Sequence, residues 1–174
     1  MPKAKVAKIP LHFIFRRIHI LTFGFAVSIG LVSYIESSFL QERVGEKAVG
    51  SIFTLSYLVA IVGLLSLSVF VRKFGKRKTF VVAYHLLWVS LVILSLRVPS
   101  GLAVTFFTLF IATSWVVVLG LNLALEQYSK NSTTGTTRGQ YLTAMNLGWI
   151  VTPLITGLIA DWGGVRAIFL LSAL

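Results

Sequence analysis

Long uncharged stretches of apolar residues alternate with short charged segments along this chain of 174 residues. The uncharged stretches cover residues 18–35, 48–71, 79–96, 98–125 and 139–160, and eight more uncharged residues follow Arg166. A helix needs roughly 20 residues to cross a hydrocarbon core of about 30 Å. The pattern therefore predicts five complete membrane spans and the opening of a sixth, which the end of the sequence cuts short.

The composition is that of a membrane protein. The chain is 56% hydrophobic and 12% charged, with a mean hydropathy of +0.89, whereas soluble domains carry roughly 25% charged residues. The net charge of +11 does not indicate nucleic-acid binding, because the cations gather at the ends of apolar stretches. Since the sequence has no cysteine, phosphate-binding loop, metal-ligand pair or catalytic pair, we expect neither an enzyme nor a bound cofactor or metal.

The distribution of lysine and arginine among the short loops predicts the orientation. With the N-terminus inside, the outer side holds four of the 16 cations, Arg43, Lys47, Arg97 and Arg166, and the other twelve are cytoplasmic. We expect a multi-pass protein of the plasma or inner membrane. A basic cytoplasmic tail at 1–17 precedes a transmembrane region at 18–174, with spans near 18–36, 48–71, 79–97, 101–126, 140–160 and 166–174. Residues 37–47 are expected to form a solvated outer loop.

Five cations lie within the seven positions from Arg72 to Lys78, between the second and third spans. Because so many charges cannot be placed in hydrocarbon, this segment predicts a tight cytoplasmic turn, with Gly75 at positive φ. It resembles the G-x-x-x-D-x-x-G-x-R-[RK] loop of the major facilitator superfamily, with Ser68 for the first Gly, Gly75 for the second, and then Arg77 and Lys78. The gating role that this implies falls on Ser68, Arg72, Gly75, Lys76 and Arg77. Arg72 stands where that family usually has Asp and cannot replace the carboxylate in closing the cytoplasmic side.

Span five carries a second resemblance to the same family. Gly148, Pro153 and Gly157 are similar to its G-x-x-x-G-P-x-x-G-G run, common in antiporters, which implies a hinge or close packing. The segment from Gly164 to Arg166 resembles the family's entry to span six.

The chain also resembles itself at an offset of 89 residues. Ser68, Arg72, Gly75, Arg77 and Phe80 correspond in order to Gly157, Asp161, Gly164, Arg166 and Phe169. The predicted fold is thus an all-α polytopic membrane protein. It is a major facilitator-like six-helix half built of two inverted three-helix repeats, with the sixth helix incomplete.

Polar side chains inside apolar spans are candidates for lining a cavity or bridging helices, because lipid offers them no partner. They are Tyr34, His85, Asn122 and Asn146. His85 could also carry a proton. Glu126, the one acid on the predicted cytoplasmic side, is a candidate ion-pair partner of Arg72 or Arg77.

The resemblance implies secondary active transport of a small solute by alternating access, through a cavity lined by spans one and four with parts of two and five. The proline run of span five favours efflux of a drug or metabolite. The expected partners are the lipid bilayer, a small-molecule substrate, and a missing C-terminal half or a second copy, with no nucleic acid. Two alternatives are a small membrane scaffold or assembly protein that binds partner helices through its glycine and serine seams, and a homodimeric half-size exporter.

Overall fold

The structure is a computed structural model that describes residues 11–128 and 134–174. Six α-helices make up these residues: α1 (Leu11–Ser33), α2 (Glu36–Val44), α3 (Glu46–Phe74), α4 (Lys76–Ser95), α5 (Ser100–Tyr128) and α6 (Thr134–Ser172). Residues 1–10 of the predicted tail and residues 129–133 of the polar loop before span five, with Lys130, lie outside the described residues. Because α1 begins at Leu11, the end of the predicted tail already belongs to the first helix.

Five helical segments among the described residues are long and apolar enough to cross a membrane: Arg17–Val44, Glu46–Phe74, Lys76–Ser95, Ser100–Gln127 and Gly135–Ala173. The predicted all-α, multi-pass architecture is therefore present. Many large apolar side chains lie on the outside of the bundle. Leu65 is 76% exposed and Leu154 is 74% exposed. Such a surface suits lipid, since soluble proteins rarely expose large contiguous apolar patches.

The helices pack in two groups that share one core. α1 lies along α6, while α5 packs against both α3 and α4, and α4 also meets α6. Aromatic side chains fill the middle of the bundle, where Phe107 and Phe110 of α5 are fully buried beside Phe39 and Phe169. The ring of Phe53 in α3 meets that of Phe107 edge-on, with centroids 5.5 Å apart. Aromatic packing of this kind holds α3 against α5.

The segment predicted as a solvated outer loop is a helix, and that prediction is wrong. α2 turns one face to the core, so that Phe39 and Leu40 are buried, and the ring of Phe39 meets that of Phe169 edge-on at 4.9 Å. The guanidinium of Arg43 lies over the Phe39 ring, 5.4 Å from its centroid. Glu36 is also buried and accepts a hydrogen bond from the Ser33 hydroxyl at 3.4 Å. Counting charges along the chain does not predict a short amphipathic helix such as α2, because the count ignores which face of the helix each residue occupies.

The chain reverses direction at Gly164 within α6, where φ is 64° and ψ is −169°. Thr152 contacts α1 at Gly30, and the Ser172 carbonyl oxygen accepts a hydrogen bond from Ser28 of α1 at 2.6 Å. An unbroken helix would place residues 152 and 172 about 30 Å apart, yet both meet neighbouring positions of α1. The segment after Gly164 therefore runs back into the bundle, and the sixth span remains a prediction.

Candidate functional site

α1 and α6 approach each other closely at two glycines. A Cβ atom on Gly148 would lie 2.7 Å from the Cβ of Ala26 and 3.1 Å from the carbonyl oxygen of Phe23. A Cβ atom on Gly30 would lie 2.6 Å from the hydroxyl oxygen of Thr152. Small residues allow such close contact of helices in lipid, where apolar burial does not drive association. The two helices thus form one wall of the bundle.

Thr152 also repairs the helix at the proline that follows it. Pro153 has no N–H, so the carbonyl of Trp149 loses its usual intrahelical donor. The Thr152 hydroxyl donates to that carbonyl at 2.9 Å, and it lies at the same distance from the carbonyl of Gly148. Because an unpaired backbone group inside a membrane is costly, this threonine lets α6 continue through the proline. Thr152 stands where the family run that span five resembles has its second glycine.

A cavity of about 240 Å³ lies between α1, α3, α5 and α6, which are the predicted spans one, two, four and five. Residues of all four helices line it. They are Phe25, Ala26, Ile29 and Ser33 of α1, Tyr57 of α3, Ile111, Ser114, Trp115 and Val118 of α5, and Met145 and Trp149 of α6. The structure thus places a shared pocket between the spans that the family resemblance assigns to a central cavity.

The lining is apolar and aromatic, with few polar groups. The hydroxyls of Ser33, Ser114 and Tyr57 and the indole N–H groups of two tryptophans are its hydrogen-bonding side chains. Ser114 donates to the carbonyl of Ile111 in its own helix at 2.8 Å. Glu36 lies beside this lining, because Ser33 donates to its carboxylate. The arrangement suits a solute with a large apolar surface and few hydrogen-bonding groups.

The four polar residues singled out from the sequence do not line this cavity. Tyr34 and Asn146 are exposed. The ring nitrogen Nδ1 of His85 lies 2.7 Å from the carbonyl oxygen of Val81, and the Asn122 amide donates to the Val118 carbonyl at 3.0 Å. These hydrogen bonds stay within one helix. A cavity-lining or bridging role for the four residues in the whole protein remains a prediction.

The loop between α3 and α4 turns at Gly75, where φ is 84° and ψ is 150°, so the predicted positive φ is confirmed. Ser68, Arg72, Lys76 and Arg77 are all exposed around it. Glu126 lies near the end of α5, which packs against α4, and its pairing with Arg72 or Arg77 remains a prediction. The gating role of this loop is likewise a prediction.

The proposed repeat pairs Gly75 with Gly164, and both have positive φ at a junction between helices. Asp161 and Arg166, the charged members of the second copy, are exposed on either side of Gly164. The three predicted hinge residues of α6 differ in surroundings. Gly148 contacts α1, whereas a Cβ atom on Gly157 would meet nothing within 4 Å. No group of three potential metal-ligating side chains lies together in the described part of the chain.

The substitution Gly75→Ala is expected to lower the melting temperature of the purified protein. The φ and ψ of Gly75 lie in a region that is essentially restricted to glycine, and placing another residue there costs about 1–3 kcal/mol. Gly24→Ala is the matched control, because a Cβ atom there would meet nothing within 4 Å and φ is not positive. An alanine at 24 should be neutral or slightly stabilising. If both variants melt alike, the turn does not depend on the conformation of Gly75.

Comparison with known proteins gives two matches. The sequence profile of the Major Facilitator Superfamily matches residues 18–174. An uncharacterised transporter of the MFS type from Bacillus subtilis (strain 168), YfkL, is 30% identical over 137 residues. That alignment covers 76% of this chain and 34% of the relative, so the chain spans about a third of the relative's length. No solved structure matches the chain.

Proposed function

Because this chain belongs to the Major Facilitator Superfamily, we propose that it forms part of a secondary active transporter that moves a small solute by alternating access. The chain is an integral, multi-pass membrane protein. In the proposed mechanism, this helical bundle rocks against a second bundle and exposes the solute to each side in turn. The second bundle is a C-terminal half or a second copy of this one.

The observation that carries the proposal is the cavity between α1, α3, α5 and α6. Four spans contribute to it, and all of its lining residues belong to helices. A pocket inside a bundle of membrane helices is where such proteins hold substrates, near the bilayer midplane. Ser114 of its lining stands halfway along α5. This position in the span supports alternating access through the cavity.

The lining favours a solute with apolar and aromatic surface. Phe25, Tyr57, Trp115 and Trp149 offer ring faces and edges. A sugar or a free amino acid needs several fixed donors and acceptors, and the cavity offers few. This chemistry supports a drug-like or apolar metabolite as the solute, and the resemblance of the proline run of α6 favours efflux.

The scaffold alternative depends on glycine seams that are free to bind partner helices. Gly30 and Gly148 are already used in the contact between α1 and α6, so part of those seams holds this bundle together. The pocket between four spans has no place in a pure scaffold. Transport is therefore the function that the geometry supports best.

Measuring the flux of apolar fluorescent dyes across vesicle membranes tests the proposal. The vesicles contain the protein expressed from its whole native reading frame. We expect faster flux than in empty vesicles. If a broad set of such dyes moved no faster than in empty vesicles, the proposed substrate class would be contradicted. If the protein did not speed the flux of polar solutes either, transport itself would be contradicted.

The charge reversal Arg77→Glu should slow this flux by roughly fivefold or more, since the coupling free energy between two sites of a switching protein is typically about 1–3 kcal/mol. Membrane insertion should stay normal, because four cations of the loop remain and the positive-inside bias is kept. Lys73→Glu is the control with the same charge change, at a position of the loop that the family motif leaves unspecified. Equal flux in Arg77→Glu and the unaltered protein would remove the gating role of Arg77.

A further inference from the structure

We propose that the bundle holds a binding site for a phosphate-type oxyanion at the end opposite the Gly75 turn. Three of the four cations assigned to the outer side, Arg43, Arg97 and Arg166, line one open pocket of about 480 Å³ there. The fourth outer cation, Lys47, does not line it. Three outer cations that are far apart in sequence thus meet at one pocket. The volume of this pocket is typical of small-molecule sites.

The pocket is built by contacts between segments that are distant in sequence. The Arg43 guanidinium donates from Nη1 to the carbonyl of Val98 at 2.8 Å, and the Ser100 hydroxyl donates to the carbonyl of Arg43 at 2.8 Å. These two hydrogen bonds tie the end of α2 to the linker between α4 and α5, which carries Arg97. They fix the position of two of the three arginines relative to each other.

Arg166 reaches the pocket through the reversal of α6. Gly164 turns the chain back toward the bundle two residues earlier, and its positive φ makes that turn possible. Phe169, buried against Phe39 of α2, then holds the returning segment beside α2. The contact between Phe169 and Phe39 therefore positions Arg166, and it also anchors α2, which carries Arg43.

The pocket carries an excess of positive charge. Glu42 is the one acidic residue of its lining, against three arginines. Arg97 and Arg166 are exposed and form no ion pair with any residue that the structure describes. The net positive charge of this lining raises the local potential and attracts an anion. Guanidinium groups offer forked donors that match phosphate oxygens.

The depth of the site points to the level of the lipid headgroups. Arg97 follows the end of α4, and Val98 and Pro99 separate it from the start of α5, so the pocket lies where spans leave the hydrocarbon. The phosphate of a phospholipid headgroup and a free phosphate share the chemistry that the arginines recognise. Either source fits the same three side chains.

The test uses the protein expressed from its native reading frame, with the double substitution Arg97→Gln and Arg166→Gln. Lys47→Gln is the control, since it removes an outer cation that does not line the pocket. One arm measures, by native mass spectrometry, phosphatidylglycerol retained after detergent exchange. The other titrates inorganic phosphate by calorimetry in lipid-free detergent. Each lost charge-assisted contact should weaken binding about tenfold, so the double variant should bind roughly a hundredfold more weakly.

Lipid retention that the double variant loses and Lys47→Gln keeps would support the site with a headgroup as its ligand. Phosphate binding with the same pattern and no lipid retention would support it with a soluble anion. The proposal would be overturned if the double variant bound both probes with the affinity of the unaltered protein, or if Lys47→Gln lost binding equally. It would also be overturned if the unaltered protein bound neither probe. Because both arginines are exposed, the double variant should melt normally. Arg97→Lys with Arg166→Lys, which keeps the charge and loses the fork, should bind at an intermediate level.

Discussion

The substitution Gly148→Leu is expected to separate α1 from α6 and to lower the melting temperature of the detergent-solubilised protein sharply. Even a single Cβ atom would come within 2.7 Å of Ala26 and 3.1 Å of the backbone of Phe23 and Val27. Neither a methyl group fixed to its backbone nor the backbone itself can move aside cheaply. Overpacking a tight contact costs typically 1–3 kcal/mol, and the larger leucine should cost at least about 3 kcal/mol.

The matched control is Gly157→Leu in the same helix. Gly157 is exposed, and a Cβ atom there would meet nothing within 4 Å. We expect its melting temperature to lie close to that of the unaltered protein, since exposed substitutions away from special features change stability by about 0.5 kcal/mol or less. Gly148→Ala should fall between the two. Equal melting temperatures for the two leucine variants would show that α1 and α6 do not meet as closely as the structure has them.

The membrane spans and the turn at Gly75 could be predicted because they depend on local properties of the chain. A run of uncharged residues long enough to cross a bilayer is visible without any knowledge of packing. A glycine between two clusters of cations at the end of a span leaves few choices for the backbone. The helix α2 could not be predicted in the same way, since burial of Phe39 depends on Phe169, which lies 130 positions further along the chain.

The family resemblance points to the four spans that share this pocket, but the sequence does not identify the residues that line it. In an apolar span, hydrophobicity does not distinguish the face that meets lipid from the face that meets other helices. Polarity along the sequence therefore predicts His85 and Asn122 as candidates, whereas aromatic residues such as Trp115 and Trp149 line the pocket. Thr152 could have been found from the sequence, because a hydroxyl just before a proline can serve the carbonyl that the proline leaves without a donor.

A thiol placed at Ser114 is expected to react with water-borne reagents from both sides of the membrane. Ser114 lines the cavity and lies halfway along α5, where a residue that faces lipid meets no water. Alternating access opens the same depth to each side in turn. These 174 residues contain no cysteine, so Ser114→Cys introduces the one thiol among them, and the exchange of oxygen for sulfur changes the side chain little.

Two further single-cysteine variants serve as references. Leu86→Cys lies at the middle of α4, is 40% exposed and does not line the cavity, so we expect it to face lipid and stay unlabelled. Lys73→Cys lies in the last turn of α3, is exposed, and should react from the cytoplasmic side alone. Labelling of Lys73→Cys from outside would reverse the proposed orientation without touching the cavity.

The decisive measurement is the labelling of Ser114→Cys by a small, membrane-impermeant methanethiosulfonate, applied to intact cells and separately to inverted vesicles. Alternating access through the cavity predicts reaction from both sides, with Leu86→Cys unreactive in both preparations. Reaction from one side alone, or from neither, would contradict a cavity that opens to each side of the membrane in turn.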